Sequence, residues 1–113
     1  MMENYFITLR PKSTFRFHSV KQLVRPIKRA THPCPAVAYL HSESSIISHD
    51  PHVHLTVSCE DISHLQGRLL HFLPDWHVAY AEVARNPKAT VIYMSQKMDA
   101  DPIFFRSDLA ELC

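Results

Sequence analysis

Apolar and polar residues alternate in four stretches of the chain, and alternation with a period of two is typical of half-buried β-strands. In the first stretch, Tyr5, Ile7 and Leu9 fall on one face because successive strand side chains point to opposite sides. Residues 103–105 are a candidate for a further short strand. The four predicted strands are NYFITLR at 4–10, AVAYLHS at 36–42, HVHLTVS at 52–58 and WHVAYAEV at 76–83.

Three other stretches have the spacing or the start signals of helices. The first opens near His18 and Ser19, and we expect Pro26 inside it to kink it or divide it. The third begins with Asn86 as N-cap and Pro87 at the first helical position, and runs to about Met98. The second is capped by Asp61, is expected to pack closely at Gly67, and has an apolar stripe of Ile62, Leu65, Leu69, Leu70 and Leu73.

The order of these elements predicts an α+β fold with a central antiparallel β-sheet flanked by helices. Only a short polar connection joins the second and third strands, so we expect them to be antiparallel neighbours. At 113 residues the chain is long enough for one domain with a single modest core.

Composition and cysteine spacing narrow the class of protein. No apolar run is long enough to span a bilayer and the N-terminus lacks a signal-peptide profile, so we expect an intracellular protein. Cys34, Cys59 and Cys113 show no C-x-x-C spacing, which indicates neither a disulfide framework nor a zinc knuckle. We expect all three to be thiols.

Charge is unevenly distributed along the chain, although the net charge is only +1. Residues 1–35 hold seven basic and one acidic side chain, a balance of +6, whereas the remainder holds five basic and ten acidic side chains. This polarity suggests either a surface that meets a polyanion or simply a solvated basic helix face. The basic residues singled out for a polyanion are Arg10, Lys12, Arg16 and Lys21.

His52 and His54 project from the same face of the third strand and are therefore a ready pair of metal ligands. With nine histidines in the chain, one such pair arises easily by chance, so it needs partners. An acidic residue, Glu43, follows the end of the preceding strand, and His41, Ser44 and Asp50 lie near it in the sequence. On the third predicted helix, residues Ala89, Tyr93, Gln96 and Lys97 share one side.

Together, the strand HVH motif, the preceding acidic residue and a helical tyrosine 39 positions after His54 resemble the nuclease domain of HUH endonucleases. More narrowly, the chain is similar to the Rep domain that initiates rolling-circle replication of small circular viral genomes and plasmids. FITLRP at 6–11 lies where the first motif of that family occurs. The resemblance covers most of the chain and implies a sheet with an RRM-like core. It also implies that the chain is one nuclease domain, 1–113, to which full-length initiators often add a helicase or oligomerisation region.

The resemblance implies a role for each matching residue. His52, His54 and Glu43 would bind a divalent cation, Mg²⁺ or Mn²⁺, with His41 as a possible additional ligand. Tyr93 would be the nucleophile that cleaves single-stranded DNA, leaving a 3′-hydroxyl and a 5′-phosphotyrosine. The family usually has lysine three residues after the tyrosine, where this chain has Gln96, and Lys97 follows one position later.

The resemblance also implies a partner and a compartment. The substrate would be single-stranded DNA at an origin, in a stem-loop, held by the basic N-terminal region without any membrane. An oligomer would form through regions outside this chain. The compartment would be the host nucleus for a eukaryotic virus and the cytoplasm for a plasmid or a prokaryotic virus.

Three alternatives stay open. A Y1 transposase of the HUH group usually has its tyrosine further from the histidine motif. A two-histidine phosphoesterase would use the H-x-T element of His54 and Thr56, but needs a second H-x-[ST] copy that this sequence lacks. The third alternative is a non-enzymatic DNA-binding module whose histidines serve packing alone.

Overall fold

A computed structural model describes residues 2–12, 20–44, 49–96 and 100–105, and at 42–44, 49–51, 100–101 and 104–105 it describes the backbone alone. This part of the chain forms five strands and three helices. In order they are β1 Glu3–Pro11, α1 Lys21–Thr31, β2 Ala36–Ser44, β3 His49–Cys59, α2 Ile62–Phe72, β4 Trp76–Val83, α3 Pro87–Gln96 and β5 Ala100–Phe105.

The strands form one antiparallel sheet in the order β4-β1-β3-β2-β5. This confirms the predicted α+β fold with helices flanking a central antiparallel sheet, and β2 and β3 are antiparallel neighbours as expected. The first six elements follow the β-α-β-β-α-β order of ferredoxin-like domains. To this core the chain adds α3 and the edge strand β5.

One face of the sheet is apolar and forms the main core with α1 and α2. Alternate residues of the two central strands point into it, because strand side chains alternate between faces. They are fully or almost fully buried, and include Ile7 and Leu9 on β1 and Val53, Leu55 and Val57 on β3. From α1 and α2 the core receives Leu23, Ile27, Ala30, Leu65 and Leu69.

Helix α1 continues through Pro26 without dividing. A proline inside a helix costs about 3 kcal/mol. Burial of Leu23 and Ile27, on either side of it, contributes roughly 1.5–3 kcal/mol each, which offsets that cost. The expected division of the helix is therefore wrong, and the two residues expected to open it, His18 and Ser19, lie outside the described residues.

Helix α2 begins as predicted and differs in two details. The Asp61 side chain accepts a hydrogen bond from the His64 backbone N–H at 3.1 Å, which confirms the N-cap. Leu70 was placed in the apolar stripe but is 46% exposed. A Cβ at Gly67 would meet no atom within 4 Å, so Gly67 does not mark close packing.

The other face of the sheet is polar, and this face faces α3. Alternate residues on β1, β2 and β3 point to it, and most of them are buried although they are histidine, threonine or serine. They include Thr8, His41, His52, His54, Thr56 and Ser58. A small apolar cluster of Phe6, Val37, Tyr39, Val91 and Met94 packs α3 on this face.

Candidate metal centre

Three histidines meet on the polar face of the sheet beneath α3. His41 on β2 lies directly opposite His52 on β3 in the strand register. His54 follows two residues later on β3 and is opposite Thr8 on β1. The two strands therefore bring the three imidazoles together because each residue has the parity that points to the same face.

The three rings are close enough to share one ion. One ring nitrogen from each of His41, His52 and His54 lies within 4.8 Å of the others. The ring centroids are separated by 4.4 Å for His41 and His54, 4.6 Å for His52 and His54, and 5.4 Å for His41 and His52. Within the described part of the chain this is the one group of three such side chains close enough to hold a metal ion.

Hydrogen bonds orient two of the three rings. His41 Nε2 donates to the Met94 backbone carbonyl of α3 at 3.1 Å, since a carbonyl oxygen can only accept. His54 Nδ1 bonds to the Thr8 hydroxyl at 3.2 Å, and the Phe6 ring stacks on His54 with centroids 5.0 Å apart. Such contacts from outside the ligand set fix the tautomer and the orientation of metal-binding imidazoles.

The opposite nitrogens of those two rings are the ones placed for a metal. His41 Nδ1 and His54 Nε2 are buried and make no hydrogen bond to the described residues. Leaving a buried polar atom unsatisfied costs about 1–3 kcal/mol. A cation bound by both nitrogens would satisfy them at once, so this observation fits the metal that the histidine pair predicts.

The end of α3 contributes a favourable field to the cluster. Met94 is among the last four residues of the helix, whose carbonyls have no intrahelical partner. The C-terminus of a helix carries a partial negative charge that attracts cations. The carbonyl end of α3 therefore favours a cation at the three histidines, and His41 satisfies one of its carbonyls.

The three imidazole nitrogens favour some metal ions over others as occupants of the cluster. Imidazole nitrogen suits Fe²⁺, Ni²⁺, Cu²⁺ and Zn²⁺, whereas Mg²⁺ and Mn²⁺ usually take oxygen ligands and Mg²⁺ also retains its waters. Of the two ions expected from the sequence, the transition-metal ion Mn²⁺ fits three imidazoles better than Mg²⁺. The residues are 0%, 4% and 8% exposed for His41, His52 and His54, so the centre is buried.

The predicted ligand Glu43 lies two residues after His41 on β2, opposite Asp50 in the register. Its side chain is outside the described part of the structure, so its role as a ligand stays a prediction. His41, which the sequence offered only as an additional ligand, is brought into the cluster. The register between β2 and β3 could have indicated this, because it pairs His41 with His52.

Tyr93 lies on α3 directly before Met94, on the same side of the sheet as the three histidines. It is 54% exposed and projects roughly 100° round the helix from Met94. Gln96 is exposed on the last turn of the same helix. Lys97 lies outside the described residues. Asn86 accepts a hydrogen bond from the Ala89 backbone N–H at 3.1 Å, which confirms the predicted start of this helix.

Among the described basic residues predicted to bind DNA, Arg10 lies on the strand beside the cluster. The β1–β3 register pairs Leu9 with Val53, and continuing it by one residue would bring Arg10 opposite His52. Lys12 follows β1 and is exposed, and Lys21 is exposed at the start of α1, in the layer that covers the apolar face. Arg16 lies outside the described residues.

Comparison of the chain with protein-family models, with curated proteins and with solved structures finds no match. Among the described residues, no helix has both the length and the hydropathy needed to cross a membrane.

Proposed function

We propose that the protein is a metal-dependent endonuclease that nicks and rejoins single-stranded DNA at a replication origin through a 5′-phosphotyrosine. The observation that carries this proposal is the cluster of His41, His52 and His54 on the sheet face covered by α3, the helix that bears Tyr93. The imidazole donors and the exposed phenol lie on the same side of the sheet, and the HUH resemblance gives a role to both kinds of group.

The three histidines would hold the ion, which polarises the scissile phosphate and withdraws charge from its oxygens when bound. The Tyr93 oxygen forms a bond to phosphorus and loses its proton to solvent. The bond from phosphorus to the 3′-oxygen breaks, and that oxygen takes up a proton to become a 3′-hydroxyl. The phosphotyrosine bond keeps the energy of the phosphodiester, so the reverse reaction can rejoin strands.

The sheet beside the cluster offers contacts that suit a single strand. Tyr80 on β4 lies opposite Thr8, which lies opposite His54, and it is 54% exposed. Exposed aromatic rings stack on nucleobases without sequence preference. One row along, His77 on β4 pairs with Arg10 on β1, which follows Leu9, the partner of Val53 on β3. These residues would position the phosphate backbone next to the cluster.

The burial of the three rings favours one alternative, in which the ion is structural and fastens α3 to the sheet. A closed site with no open coordination position is typical of structural metals. This alternative predicts metal binding without covalent chemistry, and it fits the non-enzymatic DNA-binding module.

The decisive experiment incubates the protein and Mn²⁺ with a random-sequence pool of single-stranded oligonucleotides and tests for an adduct that survives denaturing electrophoresis. We expect an adduct that is lost on chelation and in Tyr93→Phe. Tyr5→Phe is the control, because Tyr5 packs against the apolar core on the other face of the sheet and the control removes the same hydroxyl. An adduct that persists in Tyr93→Phe, or no adduct from a metal-loaded protein, would refute the proposed activity.

A further inference from the structure

Two cysteines face each other at the end of the sheet remote from the histidines. The β2–β3 register pairs Ala36 with Val57, and the Ser58 N–H donates to the Pro35 carbonyl at 3.0 Å, which continues the ladder by one residue. Cys59 follows Ser58 on β3, and Cys34 precedes Pro35 in the turn after α1, where its N–H donates to the Thr31 carbonyl at 2.7 Å. His41 and His52 are paired seven residues after Cys34, on the opposite face of the sheet.

Whether two cross-strand residues form a hydrogen-bonded or a non-hydrogen-bonded pair affects whether their sulfurs can form a disulfide. Hydrogen-bonded and non-hydrogen-bonded pairs alternate along an antiparallel ladder, so a pair one residue beyond Pro35 and Ser58 would be non-hydrogen-bonded. Cα atoms in such pairs are about 4.5 Å apart, within the range of roughly 4.4–6.8 Å that disulfides span. Cys34 and Cys59 also pack in the same apolar cluster as Val57, so both side chains point to one face.

We propose that Cys34 and Cys59 are a reversible disulfide site that closes by exchange with a low-molecular-weight disulfide. Both residues are thiols in the structure, and both line a cavity of about 400 Å³ that also borders Pro33, His64 and Arg68. Cys34 is half-buried and Cys59 is buried. The cavity gives a small disulfide access to the sulfur of Cys34, which is the more accessible of the two.

The reaction is balanced by two exchange steps. The Cys34 thiolate attacks the small disulfide, forms a mixed disulfide and releases one small thiolate. The Cys59 thiol loses its proton to solvent, and its sulfur attacks that of Cys34 and displaces the second small thiolate. The protein loses two electrons and two protons, and one small disulfide is reduced to two thiols.

Burial, and to a smaller extent the neighbouring Cys34, raise the pKa of Cys59 to about 11. Only a small fraction of this thiol is ionised at neutral pH, which slows the second step. Ring closure should accelerate as the pH rises towards that value, since the thiolate is the attacking species.

Closure would fix the loop that contains β2 and β3. The ring from residue 34 to residue 59 is long enough for a disulfide to restrict the unfolded chain substantially. We expect the melting temperature of the oxidised protein to exceed that of the reduced protein by on the order of 10 °C.

The test uses the Cys113→Ser variant. Cys113 lies outside the described residues, and reaction of its thiol would complicate the mass of the intact protein. After incubation with oxidised glutathione at alkaline pH, the intact protein should be lighter by two hydrogens. A peptide map should link residue 34 to residue 59, and a reductant should reverse both the mass change and the shift in melting temperature.

Cys34→Ser in the same background is the control, since it retains Cys59 and removes the attacking thiol. It should show neither the mass loss nor the stabilisation. Two persistent thiols, or a glutathione adduct on Cys34 that never resolves, would overturn the proposal. This outcome does not depend on the histidine cluster, so it is independent of the proposed nuclease activity.

Discussion

His54 is held by contacts on two sides of its ring. The Thr8 hydroxyl lies 3.2 Å from Nδ1, and Phe6 stacks on the ring with an interplanar angle of 21°. A hydroxyl can both donate and accept, so its bond to Nδ1 positions the ring, and the stacking fixes the plane of the ring. If the cluster holds a metal ion, its affinity should therefore depend on Thr8, a residue that would not touch the ion.

Thr8→Val removes this hydroxyl while keeping the shape of the side chain. We expect the affinity for Mn²⁺ or Co²⁺ to fall roughly 10–100-fold, because the orientation of the His54 ring is no longer fixed by this hydrogen bond. Isothermal titration with Co²⁺ measures the change. Thr56→Val is the matched control, because the Thr56 hydroxyl donates to the Met94 sulfur at 3.8 Å. Equal affinity in the two variants would contradict the role of Thr8.

At the scale of elements, α3 is the helix with the smallest apolar support. It packs through Val91 and Met94 against Val37 and Tyr39, whereas α1 and α2 share the large core on the other face. Helices with few buried apolar contacts open at lower free energy than the rest of the molecule. We therefore expect α3 to open locally before the sheet unfolds, which would expose the covered histidines.

The two confirmed N-caps allow this expectation to be measured. Asn86→Ala and Asp61→Ala each remove one capping hydrogen bond of 3.1 Å, at the starts of α3 and α2. Each should cost about 1 kcal/mol. In Asn86→Ala the loss should appear as faster amide hydrogen exchange in α3 alone, whereas in Asp61→Ala it should appear as lower global stability. Uniformly faster exchange in both variants would show that α3 is not a separate unit.

The sequence predicted the bounds of helices and strands better than the burial of the residues in them. The bounds of β4 and the start of α3 were predicted correctly, because alternation and an Asn-Pro start are local signals. Leu70 was misassigned because it directly follows the buried Leu69 and so lies about 100° round the helix from it. The burial of His41 could not be predicted, since its ring contacts the Met94 carbonyl of α3, which comes from a distant part of the chain.

At the scale of the molecule, the two faces of the sheet bury different kinds of side chain. One face is apolar and supplies the core with α1 and α2, while the other holds polar side chains that a core does not require. Burying three imidazoles is costly unless their nitrogens are satisfied. The stability of the whole domain should therefore depend on what occupies the cluster of His41, His52 and His54.

Metal binding should raise the free energy of unfolding because a ligand that binds only the folded state stabilises it by mass action. At about 100 times its dissociation constant, Mn²⁺ should contribute about 2.7 kcal/mol and raise the melting temperature by roughly 10 °C. Thermal unfolding with and without a chelator measures the effect. Mg²⁺ at the same concentration should give a smaller shift, because all three ligands are imidazoles.

His54→Ala should abolish the Mn²⁺-dependent shift, since it removes one of three ligands and the nitrogen oriented by Thr8. His77→Ala is its control, because His77 is an exposed histidine on β4 that is not a member of the cluster. It should keep the full shift. If Mg²⁺ stabilised the domain as much as Mn²⁺, or if both variants responded equally, the three histidines would not be the metal site, and their burial would need another physical cause.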